Sequence, residues 1–133
     1  MNCETVTTCD IESKESNTIT KGRLYYLNDR IALVRIREGE VLNGTVMHEI
    51  LNYVKRRLPG DFGVILDETT HYFIQPISMR PVLNACDALK GLAIVQASGG
   101  SKAVLSIQQK LFTVPVATFQ HCSQALSWLL LKF

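Results

Sequence analysis

The chain has 133 residues, enough for one domain with a real core and too few for two ordinary ones. Fourteen Lys and Arg against twelve Asp and Glu leave a formal net charge of +2, far below the basic excess of a nucleic-acid binder. No apolar stretch approaches the roughly 20 residues that span a bilayer, and no apolar core follows a basic start, so neither an anchor nor a signal peptide is expected.

Residues 1–20 are rich in Thr, Ser, Glu and Asn, with little periodic apolar content, and read as a disordered tail. The folded domain is expected over 21–133. Arg23-Leu24-Tyr25-Tyr26-Leu27 and Ile31-Ala32-Leu33-Val34-Arg35-Ile36 flank the turn-prone Asn28-Asp29-Arg30, which predicts a β-hairpin. A helix follows over 43–58, capped by Asn43, with Met47, Ile50, Leu51, Val54 and Leu58 as its buried stripe and Pro59-Gly60 as its stop. Its closing run Lys55-Arg56-Arg57 complements the helix dipole. Phe62-Gly63-Val64-Ile65-Leu66-Asp67 is continuously apolar up to its last residue, as in a central strand covered on both faces.

Tyr72-Phe73-Ile74 is a short apolar run, after which Ser78 is placed to cap a second helix, with Pro81 in its first turn and Val82, Leu83, Cys86 and Leu89 on its apolar face. From residue 90 onward the pattern is strand, helix, strand, helix. The apolar run 92–97 meets Ser98-Gly99-Gly100-Ser101-Lys102, a helix is expected over 101–112 with Val104, Ile107, Leu111 and Phe112 inward, a strand over 114–119, and a last helix over 123–132. The expected fold is α/β: a mixed sheet of about five strands, opened by a hairpin and covered by about four helices.

That order, with Val64-Ile65-Leu66-Asp67, then Ser78, then Val114-Pro115-Val116-Ala117-Thr118-Phe119 and Ala125-Leu126-Ser127-Trp128-Leu129, is similar to the SpoIIAA-like, or STAS-like, domains, and in particular to their small stand-alone bacterial members. The resemblance covers 21–133. It implies a non-catalytic regulatory or protein-interaction module that binds a protein partner or a second copy of itself. In phosphorylated members the regulatory serine opens the helix after the central strand, so the resemblance makes Ser78 the phospho-switch candidate; Gln75-Pro76-Ile77-Ser78 stands where the family has Asp-Ser-Ser-Gly.

Three further constellations suggest chemistry. Ser98, Gly99, Gly100, Ser101 and Lys102 follow a strand and open a helix; they read first as an ordinary glycine loop and, as the alternative, as a site where backbone N–H groups and a lysine hold an anionic or lipid-like small molecule. Asp67, Glu68 and His71 cluster at a strand end, but adjacent strand residues point to opposite faces, and Asp67 suits a turn cap. His48-Glu49 lacks the second histidine of a metalloprotease helix, and His121 and Cys122 are neighbours that open the last helix. Nothing supports catalysis, a metal or a cofactor.

In the last helix Leu126, Leu129, Leu130 and Phe133 are expected to face the sheet, leaving Trp128 and Leu131 as an outward contact surface. The four cysteines, Cys3, Cys9, Cys86 and Cys122, form no CxxC pair and show no zinc-site spacing, so a reduced, cytoplasmic, soluble protein is expected.

Overall fold

A computed structural model describes residues 14–68, 72–96 and 112–133. Its elements are β1 (Ser16–Ile19), β2 (Gly22–Tyr26), β3 (Ile31–Ile36), β4 (Val41–Leu42), α1 (Gly44–Arg57), β5 (Phe62–Asp67), β6 (Phe73–Ile74), α2 (Pro76–Asn84), β7 (Leu89–Val95), β8 (Val116–Phe119) and α3 (Cys122–Leu130). The hairpin between β2 and β3 turns where expected, because Asn28 Oδ1 accepts the N–H groups of Arg30 (2.8 Å) and Ile31 (2.9 Å) and so substitutes for the missing ladder.

The main sheet has six strands in the order β1-β2-β3-β5-β7-β8, antiparallel through β3 and parallel from β3 to β8. β4 and β6 form a separate two-stranded parallel ladder. The sixth strand, β1, comes from the segment expected to be tail. Its side chains are Ser, Asn, Thr and Ile, and only Ile19 is buried, so an edge strand of this kind leaves no apolar periodicity to read. Two contacts around it hold it against α1: Arg57 pairs with Glu15 (2.6 Å), and Glu49 accepts the Thr20 N–H. Residues 1–13 lie outside the described residues.

α1 begins as expected, with Asn43 Oδ1 accepting the Val46 N–H at 3.1 Å, and buries Val46, Met47, Ile50, Leu51 and Val54. Pro59 and the positive φ of Gly60 (83°) turn the chain into β5. α2 departs from its expected start. It begins at Pro76, whose missing N–H suits the first helical position, so Ser78 lies inside the first turn and Gln75 precedes the helix. α2 also ends at Asn84: Leu83 is buried on it, whereas Cys86 and Leu89 are buried beyond it, at the turn into β7. Three helices occur among the described residues; of the helix expected over 101–112 only Phe112 is described, and it is buried.

Two apolar layers sandwich the sheet. Ala32, Val34, Val64, Leu66, Leu92 and Ile94 meet α1 and α2, while Ile31, Leu33, Ile65, Ala93 and Val95 share a cluster with Cys122, Ala125 and Leu129 of α3. The strict alternation along β3, β5 and β7 follows from the period-two pleat with both faces covered. Glycine at two strand positions lets α3 come close: a Cβ on Gly63 or Gly91 would lie 2.8 or 2.7 Å from Leu129 Cδ2.

Candidate functional site

The parallel strands end together on one side of the sheet, where open α/β sheets hold their ligands. The register sets Arg23, Arg35, Asp67, Val95 and Phe119 in one row across β2, β3, β5, β7 and β8. Arg35 Nε donates to the buried Asp67 Oδ2 at 2.7 Å, and Arg23 turns away to Ser16 Oγ at 3.0 Å. Asp67 is the buried charged residue among the described side chains, and its ion pair spans the strand junction.

Glu68, one residue on, belongs to the opposite face, as the pleat requires. Its N–H continues the ladder to Val95 O at 2.8 Å, and its Oε2 accepts from Gln96 Nε2 at 2.5 Å. Burial raises the Glu68 carboxyl above the usual carboxylate range; the Gln96 hydrogen bond opposes this and the Asp67 charge supports it. Beside it, Tyr72 packs on the α1–α2 layer. The ring is partly exposed, yet its hydroxyl oxygen is buried and has no hydrogen-bond partner among the described residues. Burial pushes that hydroxyl well above the usual phenol range, and the charges of Glu68 and then Asp67 add to the effect.

The structure therefore brings Asp67 and Glu68 to one strand end but gives them separate partners, Arg35 and Gln96. Asp67 pairs with Arg35 across the strand junction, and the turn that it was expected to cap lies outside the described residues. Arg35, Tyr72 and Gln96 were not singled out from sequence. Arg35 carried a usable signal, since one charge in an otherwise apolar strand calls for a partner. His71 and the segment Ser98, Gly99, Gly100, Ser101 and Lys102 lie outside the described residues. No group of three or more His, Cys, Asp or Glu side chains suited to a metal occurs among the described residues.

Ser78 stands elsewhere, at the crossing of α1 and α2. Its Oγ accepts the Gly44 N–H at 2.7 Å, so it caps α1 and not its own helix. A Cβ on Gly44 would collide with the Ser78 carbonyl oxygen, which is why the crossing needs glycine. Ser78 remains exposed, and with His48, also exposed, it lines a shallow recess over the start of α1. Phe73 and Ile77, 63% and 76% exposed, belong to the neighbouring β6 and the first turn of α2.

At the far end of α3, Trp128 is partly buried: its ring lies 5.6 Å from Phe119 and reaches over Gly91, with Lys132 Nζ 4.5 Å above it. It thus serves its own fold more than the expected outward surface. Leu129 is buried, whereas Leu130 (45% exposed), Leu131 (84%) and Phe133 (38%) project outward, so Leu130 and Phe133 do not join the inward stripe expected of them. Ala125 and Cys122 take their place. The helix starts one residue earlier than expected, at Cys122, and ends at Leu130, which leaves Phe133 past its end.

Cys122 is disulfide-bonded, while Cys86 is free and buried. The expectation of wholly reduced cysteines fails because pairing across a fold leaves no trace in sequence spacing. His121, whose Nδ1 is buried without a partner among the described residues, therefore neighbours a sulfur that is not a free nucleophile. No described helix is long and apolar enough to cross a membrane.

No protein-family profile, curated protein or solved structure matches this chain.

Proposed function

We propose that the chain is a non-catalytic, STAS-like regulatory and interaction module that pairs with a protein partner, first of all a second copy of itself, through the outer end of α3. The observation that carries this reading is the exposure of Leu131 (84%) beside Leu130 and Phe133 on one short segment. Large apolar side chains grouped in solvent are a common mark of a contact surface. Leu131 is its centre; Trp128 supports it from below. In this reading Ser78 is the switch. A phosphate of about −2 charge there changes the acceptor offered to the Gly44 N–H, beside the exposed Phe73 and Ile77. Native mass spectrometry of the chain, of Leu131→Glu and of Ser78→Asp tests both parts. Dimers that Leu131→Glu dissociates support the surface, and a Ser78→Asp chain that associates like the parent removes the switch.

A cytoplasmic location belongs to the same proposal and is at odds with the Cys122 disulfide, since such bonds are rare in reducing compartments. Alkylation in denaturant of the protein as extracted from cells tests it: a Cys122 thiol that reacts without prior reduction fits the cytoplasm, and one that reacts only after reduction counts against it. The second reading, a site for an anionic or lipid-like molecule at Ser98, Gly99, Gly100, Ser101 and Lys102, draws support from the convergence of polar groups at the same strand ends. Lys102→Ala abolishing an anion-induced rise in melting temperature is its test.

A further inference from the structure

At the end of the sheet opposite the Arg35–Asp67 pair, the last turn of α2 and the N-terminal ends of β7 and β8 border an open recess of about 230 Å³. Asn84 closes α2, Asp87 lies in the turn that follows, Lys90 is the second residue of β7, and Thr113 leads into β8; all four line the recess. Asn84 Oδ1 accepts the Thr113 N–H at 2.9 Å and the Thr113 hydroxyl at 3.3 Å, so the polar wall is fixed before anything binds. Leu83 and Val114, both buried, supply an apolar floor.

Asp87 and Lys90 bring opposite charges to one recess and do not pair with each other. Lys90 Nζ stands 3.9 Å from Asp61 Oδ2, at the outer limit of an ion pair, and Asp87 has no ion pair among the described residues. A simple anion would meet Asp87 there, a simple cation would meet Lys90, and a neutral molecule leaves both charges unanswered. A zwitterion answers both. Its carboxylate accepts from Lys90 Nζ, while its ammonium donates to the Asp87 carboxylate and to the Thr113 hydroxyl oxygen, whose own proton goes to Asn84. The carbonyl end of α2, on the Asp87 side, adds partial negative charge that favours the ammonium. At about 30 Å³ for each water-sized group, the recess has room for about eight non-hydrogen atoms. We infer that this recess binds a free α-amino acid with a short side chain, which rests on Leu83 and Val114. The site is independent of the interaction surface on α3, and each stands if the other fails.

The test is two-dimensional amide NMR of the full chain titrated with L-alanine, L-serine and L-threonine, and with acetate and methylamine as the separate halves of the zwitterion. At least one amino acid is expected to shift the amides of Asp87, Lys90 and Thr113 saturably, with each half binding about tenfold more weakly or worse. Asp87→Asn and Lys90→Gln are each expected to weaken binding about tenfold, the effect of losing one charge-assisted hydrogen bond. Neither side chain belongs to the core, so both variants keep the parent's spectrum elsewhere. Absence of a saturable shift from all three amino acids overturns the inference, as does undiminished binding in either variant, or acetate or methylamine binding as tightly as the amino acids.

Discussion

Arg35 is the charged residue in an otherwise apolar strand, and its partner Asp67 is almost wholly out of solvent. Removing the guanidinium leaves a buried carboxylate without its counter-charge, which costs more than the pair itself contributes. Arg35 is about a third exposed, so the loss lies between the surface and buried limits. Arg35→Ala is expected to destabilise the fold by about 2 kcal/mol in a urea titration. A loss within experimental error would show that solvent compensates Asp67 directly.

Glu68 supplies a pH signature of opposite sign to the usual carboxylate. Burial raises its carboxyl above the ordinary range, so the folded state favours the neutral form. That contribution is complete below the ordinary carboxylate range and is lost as pH rises through the raised value. Glu68→Gln stays neutral throughout and can still accept from Gln96. It is expected to match the parent at about pH 4 and to exceed it in urea midpoint at about pH 7.5. Equal differences at both pH values would mean that burial does not raise the Glu68 carboxyl.

At the scale of elements, α3 is seated by two glycines on adjacent strands, with Leu129 filling the space above Gly63 and Gly91. Gly91→Ala forces Leu129 aside, a cost of about 1–3 kcal/mol by overpacking. Leu129→Ala removes the obstruction while opening a cavity. The double variant is therefore expected to lose less stability than the sum of the two single losses, as chemical denaturation of the four chains will show. Strict additivity would mean that the glycines are not there for Leu129.

The central elements were legible in the sequence for plain reasons. β5 is apolar throughout because both faces are covered, and α1 shows its stripe, its Asn43 cap and its Pro-Gly stop. Illegible parts have equally physical causes. β1 is an edge strand with one buried residue, so it looks like tail. Ser78 caps a helix 34 residues away, a role that no local pattern announces. In α3 the helix ends at Leu130, so Phe133, expected on its inward stripe, lies past its end, and the buried face is Cys122, Ala125 and Leu129. Of the strand-end cluster, Asp67 and Glu68 were readable as a pair, but Arg35, Gln96 and Tyr72 join them only through strand register and chain return.

For the whole molecule, the sheet presents different surfaces at its two ends. The C-terminal strand ends gather Arg35, Asp67, Glu68 and Gln96, while the far end of α3 carries Leu130, Leu131 and Phe133 outward. Leu131, being 84% exposed, contributes little to the fold, so its replacement by Glu separates association from stability. The most direct measurement is native mass spectrometry of the parent chain and of Leu131→Glu at equal concentration. A dimer for the parent and a folded monomer for Leu131→Glu is the predicted result; a monomeric parent, or a dimer that survives Leu131→Glu, would contradict self-association through α3.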